Sequence, residues 1–115
     1  MRFLLLCCFD EKRWGALPDA QRDQIMRDYA GFVQSLDRSG QHLASAQLKP
    51  VSTAATVRAK NGRPTVIDGP FAETKEQLGG YHLIECNGLD EALSIAQRIP
   101  TIPFGGAVEV RALQG

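Results

Sequence analysis

An apolar run near the start of the chain constrains the fold most. Residues 3–9 contain no polar side chain, and at strand spacing they place apolar groups on both faces. Both faces of such a strand must be covered by other parts of the protein. The run is too short to cross a bilayer, and the charged residues 10–13 follow it where a signal peptide would need small residues. We therefore expect a strand near a mature N-terminus and a cytoplasmic protein.

The composition bounds the class of protein. A chain of 115 residues with 43% hydrophobic residues can build one core without metals or disulfides, so we expect a single domain over residues 1–115. Thirteen Lys and Arg balance thirteen Asp and Glu, which argues against nucleic acid or an anionic membrane as the main partner. Three cysteines and two histidines show no metal-binding spacing. We expect reduced thiols, no metal and no cofactor.

Hydrophobic periodicity predicts two helices. The first begins at Pro18 and ends before Gly40, and the second follows Asn87-Gly88 and ends before Pro100. Residues 10–17, which precede the first helix, are predicted to form a polar loop. The first helix carries an apolar stripe at helical spacing, formed by Ile25, Tyr29, Phe32, Val33 and Leu36.

The clearest local signal is Asn61-Gly62, a dipeptide that suits both central positions of a type I′ turn. It separates two β-prone runs, residues 54–60 and 63–68, and so predicts a hairpin. Residues 69–78 are predicted to form a charged loop or single helical turn, bounded by Pro70 and Gly79-Gly80. Further strands are predicted over residues 42–48, 81–86 and 107–113.

The predicted order is β, α, β, hairpin, β, α, β. Without the hairpin this is βαββαβ, the α+β ferredoxin-like plan in which both helices cover one face of an antiparallel sheet. The first strand is apolar on both sides, so the helix-free face also needs a cover. We expect a homodimer with sheets packed face to face, enclosing pockets of the kind where small molecules bind.

Residues 68–81, DGPFAETKEQLGGY, resemble the defining motif of the YCII-related family in its DGPF branch. The similarity extends to Trp14 and to residues 54–58, 89–92 and 108–111. The resemblance implies a bacterial, dimeric ferredoxin-like α/β barrel. Members of the family have been suggested to be enzymes because of a His and an Asp in a cleft. DGPF members are often associated with alternative sigma factors.

Two residues are candidates for catalysis. Asp68 ends a strand before Gly-Pro, and it either serves the site as a carboxylate or caps the amides of Phe71 or Ala72. His82 faces inward, as an acid–base group or as a hydrogen-bonded core residue. Tyr29 stands where the resemblance places a helical His, and it either packs in the core or lines the pocket.

We expect the pocket between the helix-free sheet face and the Asp68–Gly80 loop. Arg111 shares a face with Glu109, which favours either a salt bridge or substrate binding, and His42 is predicted to be an exposed residue at the start of a strand. The residues predicted to bind ligand are Trp14, Tyr29, Phe71, Tyr81 and Arg111.

Two function classes remain open. The first is a homodimer that binds an unknown small molecule and is either an enzyme or a binding protein. The alternative is a non-enzymatic regulatory or interaction module with a protein partner in sigma-factor-dependent transcription. Three basic residues near the hairpin tip, Arg58, Lys60 and Arg63, make too thin a patch to favour direct nucleic-acid binding.

Overall fold

A computed structural model describes residues 1–115 and has an α+β architecture with antiparallel sheets and three helices. None of its helices is both long and apolar enough to cross a membrane. Two short 3₁₀ turns lie at Val51–Thr53 and Ile102–Phe104. The elements in chain order are β1 Arg2–Phe9, α1 Glu11–Ala16, α2 Asp19–Arg38, β2 His42–Gln47, β3 Ala55–Lys60, β4 Arg63–Asp68, β5 Gln77–Glu85, α3 Leu89–Ala96 and β6 Ala107–Ala112.

The main sheet has four antiparallel strands in the order β2-β5-β1-β6. With β3 and β4 set aside, this is the strand order of a ferredoxin-like fold, as the sequence predicted. The apolar strand β1 lies in the interior of the sheet, between β5 and β6. Strand β2 is an edge strand and follows the long helix α2.

The core lies between one face of the sheet and helices α2 and α3. Phe3 and Leu5 of β1 are buried, whereas Leu4 and Leu6, which point to the other face, are only half-buried. This difference places both long helices on one side of the sheet. The core residues are Phe3, Leu5, Cys7, Phe32, Leu36, Ile84, Cys86, Ala92, Ile95, Ala96 and Ile99.

The segment after β1 is a helix, so the prediction of a polar loop over residues 10–17 was wrong. The Asp10 carboxylate accepts a hydrogen bond from the Lys12 amide at 2.9 Å and caps the N-terminus of α1. This short helix brings Trp14 against Phe9 in an edge-to-face contact with ring centroids 5.8 Å apart. Helix α1 thus holds Trp14 over the end of β1.

Strand β5 begins at Gln77, so Gly79 and Gly80 lie inside it instead of bounding the preceding loop. A Cβ atom on Gly80 would stand 2.9 Å from the Ala46 carbonyl oxygen of β2. That distance is too short for ordinary packing against backbone, which explains the glycine. The same stretch carries a bulge where β5 passes Cys7 and Cys8.

Strands β3 and β4 form a separate two-stranded antiparallel sheet. Asn61 and Gly62 join them with φ values of 52° and 77°, the left-handed conformation that a type I′ turn requires. Val57 and Val66 are cross-strand partners and are 66% and 69% exposed. The apolar face of the hairpin, which carries this pair, is therefore exposed to solvent. The alternation of its residues predicted a hairpin that is only half exposed.

Candidate functional site

A cavity of about 650 Å³ opens between α2 and the ends of the central strands. Helix α2 lines it with Met26, Tyr29, Ala30 and Val33, and α1 contributes Trp14. Strands β1, β2 and β5 and the loop residues Leu48, Pro50 and Thr101 form the remaining walls, and more than half of the lining residues are hydrophobic. Its size and mostly apolar lining are those of a small-molecule site.

The structure brings four of the sequence-predicted site residues to this cavity. Trp14, Tyr29, Tyr81 and His82 all line it. The cavity lies against α2, and the Asp68–Gly80 segment reaches it only through Gln77, Gly79 and Gly80 at its end. The structure therefore differs from the expected place of the pocket, because residues of α2 form one of its walls.

His82 is the most unusual polar residue of the cavity. It is 6% exposed, and its Nδ1 atom is buried without a hydrogen-bond partner. Burial lowers the pKa of His82 to about 4, with a smaller contribution from His42. The imidazole is therefore neutral at pH 7 and retains one unused hydrogen-bonding atom, which is an uncommon state for a buried group.

Aromatic rings hold His82 in place. The Tyr29 ring stacks on the imidazole with centroids 5.9 Å apart and planes 19° apart, and Phe32 meets it edge-on at 5.3 Å. The Tyr29 hydroxyl interacts with the side chains of Cys7 and Thr101. Burial raises the pKa of Tyr29 well above its ordinary value, so its phenol is a hydrogen-bond donor and not a base.

A chain of hydrogen bonds links Glu11 and Gln77, which line the cavity, to Val51 and Thr74. The Gln77 Oε1 atom accepts from the Glu11 amide at 2.8 Å, and the Glu11 carboxylate accepts from the Val51 amide at 3.1 Å. The Gln77 Nε2 atom donates to the Thr74 carbonyl at 2.6 Å. Glu11 is the one charged residue in the lining, and no Lys or Arg reaches the cavity.

The two cysteines beside the cavity are protonated thiols. Burial raises the pKa of Cys7, and burial together with the nearby carboxylates of Glu109 and Glu76 raises the pKa of Cys8. A nucleophilic cysteine requires a lowered pKa, because the thiolate is the reactive form. Cys7 and Cys8 therefore contribute apolar surface to the cavity wall.

Asp68 and Phe71 lie away from the cavity. Asp68 is exposed at the end of β4, where it pairs with Ala55, and it accepts no hydrogen bond from Phe71 or Ala72. Phe71 is 72% exposed, and the Arg58 guanidinium lies 4.6 Å from the centre of its ring. The structure thus separates both residues from His82.

Arg111 lies on the helix-free face of the sheet and also outside the cavity. Its Nε atom is 3.3 Å from the Glu109 carboxylate, and both side chains are largely exposed. The sequence left a salt bridge and substrate binding as alternatives for this pair, and the structure contains the salt bridge.

Sequence reasoning missed a polar cluster on the wall formed by β2. The His42 Nδ1 atom lies 2.6 Å from the Asp37 carboxylate, and its Nε2 atom lies 3.0 Å from the Ser45 hydroxyl. Ser45 lines the cavity. His42 is half-buried, with a side chain only 17% exposed, and not the exposed residue that the sequence predicted. In a regular strand, residues three apart point to opposite faces, so no pattern in the sequence indicated this contact.

Comparison with known protein families decides the membership of the chain. The model of the YCII-related domain matches residues 1–114. The chain belongs to the YCII-related family. This confirms the resemblance seen in residues 68–81 and in the segments around them.

A relative of this YCII-related chain is an uncharacterized protein of Rhizobium meliloti (strain 1021). The two are 40% identical over 114 residues, which cover 98% of this chain and 92% of the relative. The similarity therefore spans the whole domain, including α1, α2 and the strands that line the cavity.

Among solved structures, the YCII-related chain is similar to 5-chloro-2-hydroxyhydroquinone dehydrochlorinase from Burkholderia phenoliruptrix AC1100, in complex with 2,5-dihydroxybenzoquinone. The TM-score is 0.50 at 17% sequence identity, over 99% of this chain and 94% of the other. At this identity the likeness concerns the fold alone.

Proposed function

We propose that this protein binds a small, uncharged, ring-containing molecule in the cavity beneath α2. The observation that carries the proposal is the imidazole of His82, which lines the cavity and whose buried Nδ1 atom has no hydrogen-bond partner within the protein. A buried polar atom normally has a hydrogen-bond partner, and an unpaired one costs about 1–3 kcal/mol. A ligand with a hydroxyl or carbonyl group supplies polar partners for the imidazole of His82.

The charges of the cavity support an uncharged ligand. Its only charged lining residue is Glu11, and that carboxylate already accepts a hydrogen bond from the Val51 amide. A phosphate or a carboxylate ligand would enter without a cation to balance it, which is costly in a site lined mostly by apolar groups. Binding therefore selects against anions.

The shape of the lining supports a ring. Trp14 and Tyr29 present aromatic side chains to the cavity, and such side chains bind planar apolar groups through stacked or edge-on contacts. The fold neighbour was solved with 2,5-dihydroxybenzoquinone, a small ring compound that carries hydroxyl and carbonyl groups. That compound is a suitable first probe for this chain.

The neutral state of His82 determines how it interacts with a ligand. With a pKa of about 4, the imidazole is a weak base at pH 7 and acts by accepting and donating hydrogen bonds. It orients a hydroxyl or polarises a carbonyl while the aromatic residues hold the ring. Tyr29, whose phenol stays protonated, contributes its ring to the wall of the cavity.

We propose that the binding form is a homodimer, the dimeric α/β barrel of the family resemblance. Leu4 and Leu83 are cross-strand partners on the helix-free face, and Leu6 faces Tyr81 beside them. These side chains are half-buried and have no covering layer in the single chain. A second copy with the same apolar face covers them symmetrically.

The experiment measures the unfolding temperature of the protein with a panel of small phenols and quinones and with carboxylated or phosphorylated analogues. A ligand that binds the folded state alone raises the unfolding temperature. We expect uncharged members to raise it, and the variant Ala30→Trp, which fills the cavity, to lose the effect. Ala20→Trp, at an exposed position near the start of α2, is the matched control and should respond like the wild type. An equal response of wild type and Ala30→Trp would contradict the proposal.

The second candidate function is a protein-binding module, the sigma-factor-associated role. The observation in its favour is the exposed hairpin, whose partners Val57 and Val66 present apolar side chains to solvent. The double substitution Val57→Thr and Val66→Thr should leave the ligand response unchanged and abolish capture of a transcription factor. Loss of the ligand response in this variant would tie the hairpin to the small-molecule site instead.

A further inference from the structure

We propose that Ser45, His42 and Asp37 form a hydrolytic triad that opens into the cavity, with Ser45 as the nucleophile toward small, uncharged aryl esters. The inference rests on the proposed function, because the ester must enter the same cavity. It adds a reaction, and a set of residues, that the aromatic site around His82 does not contain.

The distances give each member a role. The His42 Nδ1 atom is 2.6 Å from the Asp37 carboxylate, an acceptor that fixes the ring proton on this nitrogen. The other nitrogen, Nε2, is then an acceptor, and it lies 3.0 Å from the Ser45 Oγ atom. A serine whose hydroxyl donates to a histidine, itself oriented by a carboxylate, is the arrangement that activates serine as a nucleophile.

A break in the strand register makes this contact possible. Strand β2 pairs His42 with Ile84 and Ser45 with His82, and the register shifts between His42 and Ala44. The shift places His42 and Ser45 on the same, helix-covered side of the sheet although three positions separate them. Bulges of this kind re-aim side chains and occur often beside active sites.

The solvent exposure of the three side chains agrees with the roles proposed for them in the triad. Asp37 lies near the C-terminal end of α2 and its side chain is 58% exposed, whereas the His42 side chain is only 17% exposed. Ser45 is half-buried in the wall of the cavity. The base is thus shielded from water, while the nucleophile faces the space where a ligand would lie.

The reaction balances with water as the only co-reactant. The Ser45 oxygen forms a bond to the ester carbonyl carbon while its proton passes to His42 Nε2. The bond between that carbon and the leaving phenol oxygen then breaks, and the phenol takes the proton from Nε2. Water repeats both steps on the acyl-serine, which releases the acid and restores the Ser45 hydroxyl.

The tetrahedral intermediate carries a negative oxygen that needs a donor. His82 is the cross-strand partner of Ser45, so the two side chains lie side by side on one face. A neutral imidazole bears one N–H group, which makes His82 the donor to this oxygen. The ring-binding site and the triad therefore meet at one residue.

The test labels the serine covalently. A fluorophosphonate probe forms a phosphorus–oxygen bond to an activated serine, fluoride leaves, and the serine proton passes to the histidine. We expect intact-mass analysis to show one adduct and peptide mapping to place it on Ser45. We expect Ser45→Ala to take no label, and Ser94→Ala, a control on the exposed face of α3, to label as the wild type does.

Two further variants separate catalysis from structure. His42→Gln should lower the labelling rate by roughly 10³-fold, since the general base is gone. Asp37 is a positioning residue, so Asp37→Asn should also slow labelling, and Asp37→Glu should restore part of the rate at an unchanged unfolding temperature. An unlabelled Ser45, or a His42→Gln variant that labels as fast as the wild type, would overturn the triad.

The outcomes distinguish the triad from the ligand site on which it rests. If Ser45 takes no label while phenols or quinones still raise the unfolding temperature, the triad is wrong and the binding function stands. If Ser45 is labelled but no uncharged ring compound binds, the proposed ligand class is wrong and the triad stands on its own evidence.

Discussion

Tyr29 of α2 stacks on His82 of β5, with ring centroids 5.9 Å apart and planes inclined by 19°. The contact joins the long helix to the sheet at the wall of the cavity. Burial of the imidazole, to which Tyr29 and the edge-on Phe32 ring both contribute, is the main reason that the pKa of His82 falls to about 4. The packing of α2 against β5 therefore fixes both the position and the protonation state of the candidate ligand-binding group.

The neutral state of His82 links the free energy of unfolding to pH. The unfolded chain binds a proton at His82 below the ordinary pKa of 6.5, whereas the folded protein binds it only near pH 4. The contribution of neutral His82 to the free energy of unfolding has its full value above pH 6.5, and it is lost as the pH falls from about 6.5 toward about 4. The linkage limits the loss to about 3 kcal/mol.

The measurement is urea unfolding of the wild type, His82→Phe and His42→Gln at pH 7 and pH 4.5. His82→Phe should lose less stability than the wild type on acidification, because the buried ring no longer titrates. His42→Gln should keep most of the wild-type dependence, since burial and not His42 is the larger cause. Identical pH dependence in the wild type and His82→Phe would contradict this account of the residue.

Tyr29 should matter more for its ring than for its hydroxyl. The ring contacts His82 and Phe32, so Tyr29→Ala should lower the free energy of unfolding by about 3 kcal/mol. Tyr29→Phe keeps the stack and removes the hydroxyl that meets Cys7 and Thr101, for a loss of about 1 kcal/mol. Chemical denaturation of the two variants measures both losses, and equal losses would show that the stack contributes little.

Two adjacent glycines should respond differently to alanine. A Cβ on Gly80 meets the Ala46 carbonyl oxygen at 2.9 Å, whereas on Gly79 the nearest atom is the Cys7 carbonyl oxygen at 3.9 Å. We expect Gly80→Ala to destabilise the protein by about 1–3 kcal/mol, because backbone must move, and Gly79→Ala to have little effect. Thermal unfolding of the pair tests this, and equal midpoints would mean that β2 adjusts freely.

The proposed dimer depends on the apolar side of the sheet opposite the helices. Leu83 lies near the centre of that face, between Leu4 of β1 and Ala44 of β2. Leu83→Lys should convert the protein to a folded monomer, because burying an unpaired charge at the interface is costly. Light scattering gives the mass, and circular dichroism shows that the variant is folded.

Val57→Lys is the control for the dimer test. It places the same charge on the exposed hairpin, and it should leave the mass unchanged. A wild-type protein that is already monomeric, or a Val57→Lys variant that dissociates while Leu83→Lys does not, would contradict a dimer formed through the sheet face.

The sequence predicted the elements whose signals are local and repeated. The stripe formed by Ile25, Phe32 and Leu36 is buried in α2, and the alternation that turned His82 inward is observed in β5. The positive φ of Asn61 follows from the Asn-Gly dipeptide. Each of these depends on a side chain and its near neighbours in the chain.

The features that sequence reasoning missed depend on contacts between distant segments or on a single cap. Helix α1 has only six residues and includes Gly15, so it has no periodicity to recognise, and the Asp10 cap defines its start. The register shift in β2 shows only against β5, and without it His42 and Ser45 would face opposite sides. The cavity forms where α2 crosses the ends of the strands, and no pattern in the sequence predicts that crossing.

The most direct test of the central claim is a crystal structure of the protein grown with 2,5-dihydroxybenzoquinone, or with the ring compound that raises its unfolding temperature most. We predict that the ring lies in the cavity beneath α2 against Trp14 or Tyr29, with an oxygen within hydrogen-bond distance of His82. A compound bound instead at the Asp68–Gly80 loop or on the hairpin, with the cavity beneath α2 unoccupied, would contradict the claim.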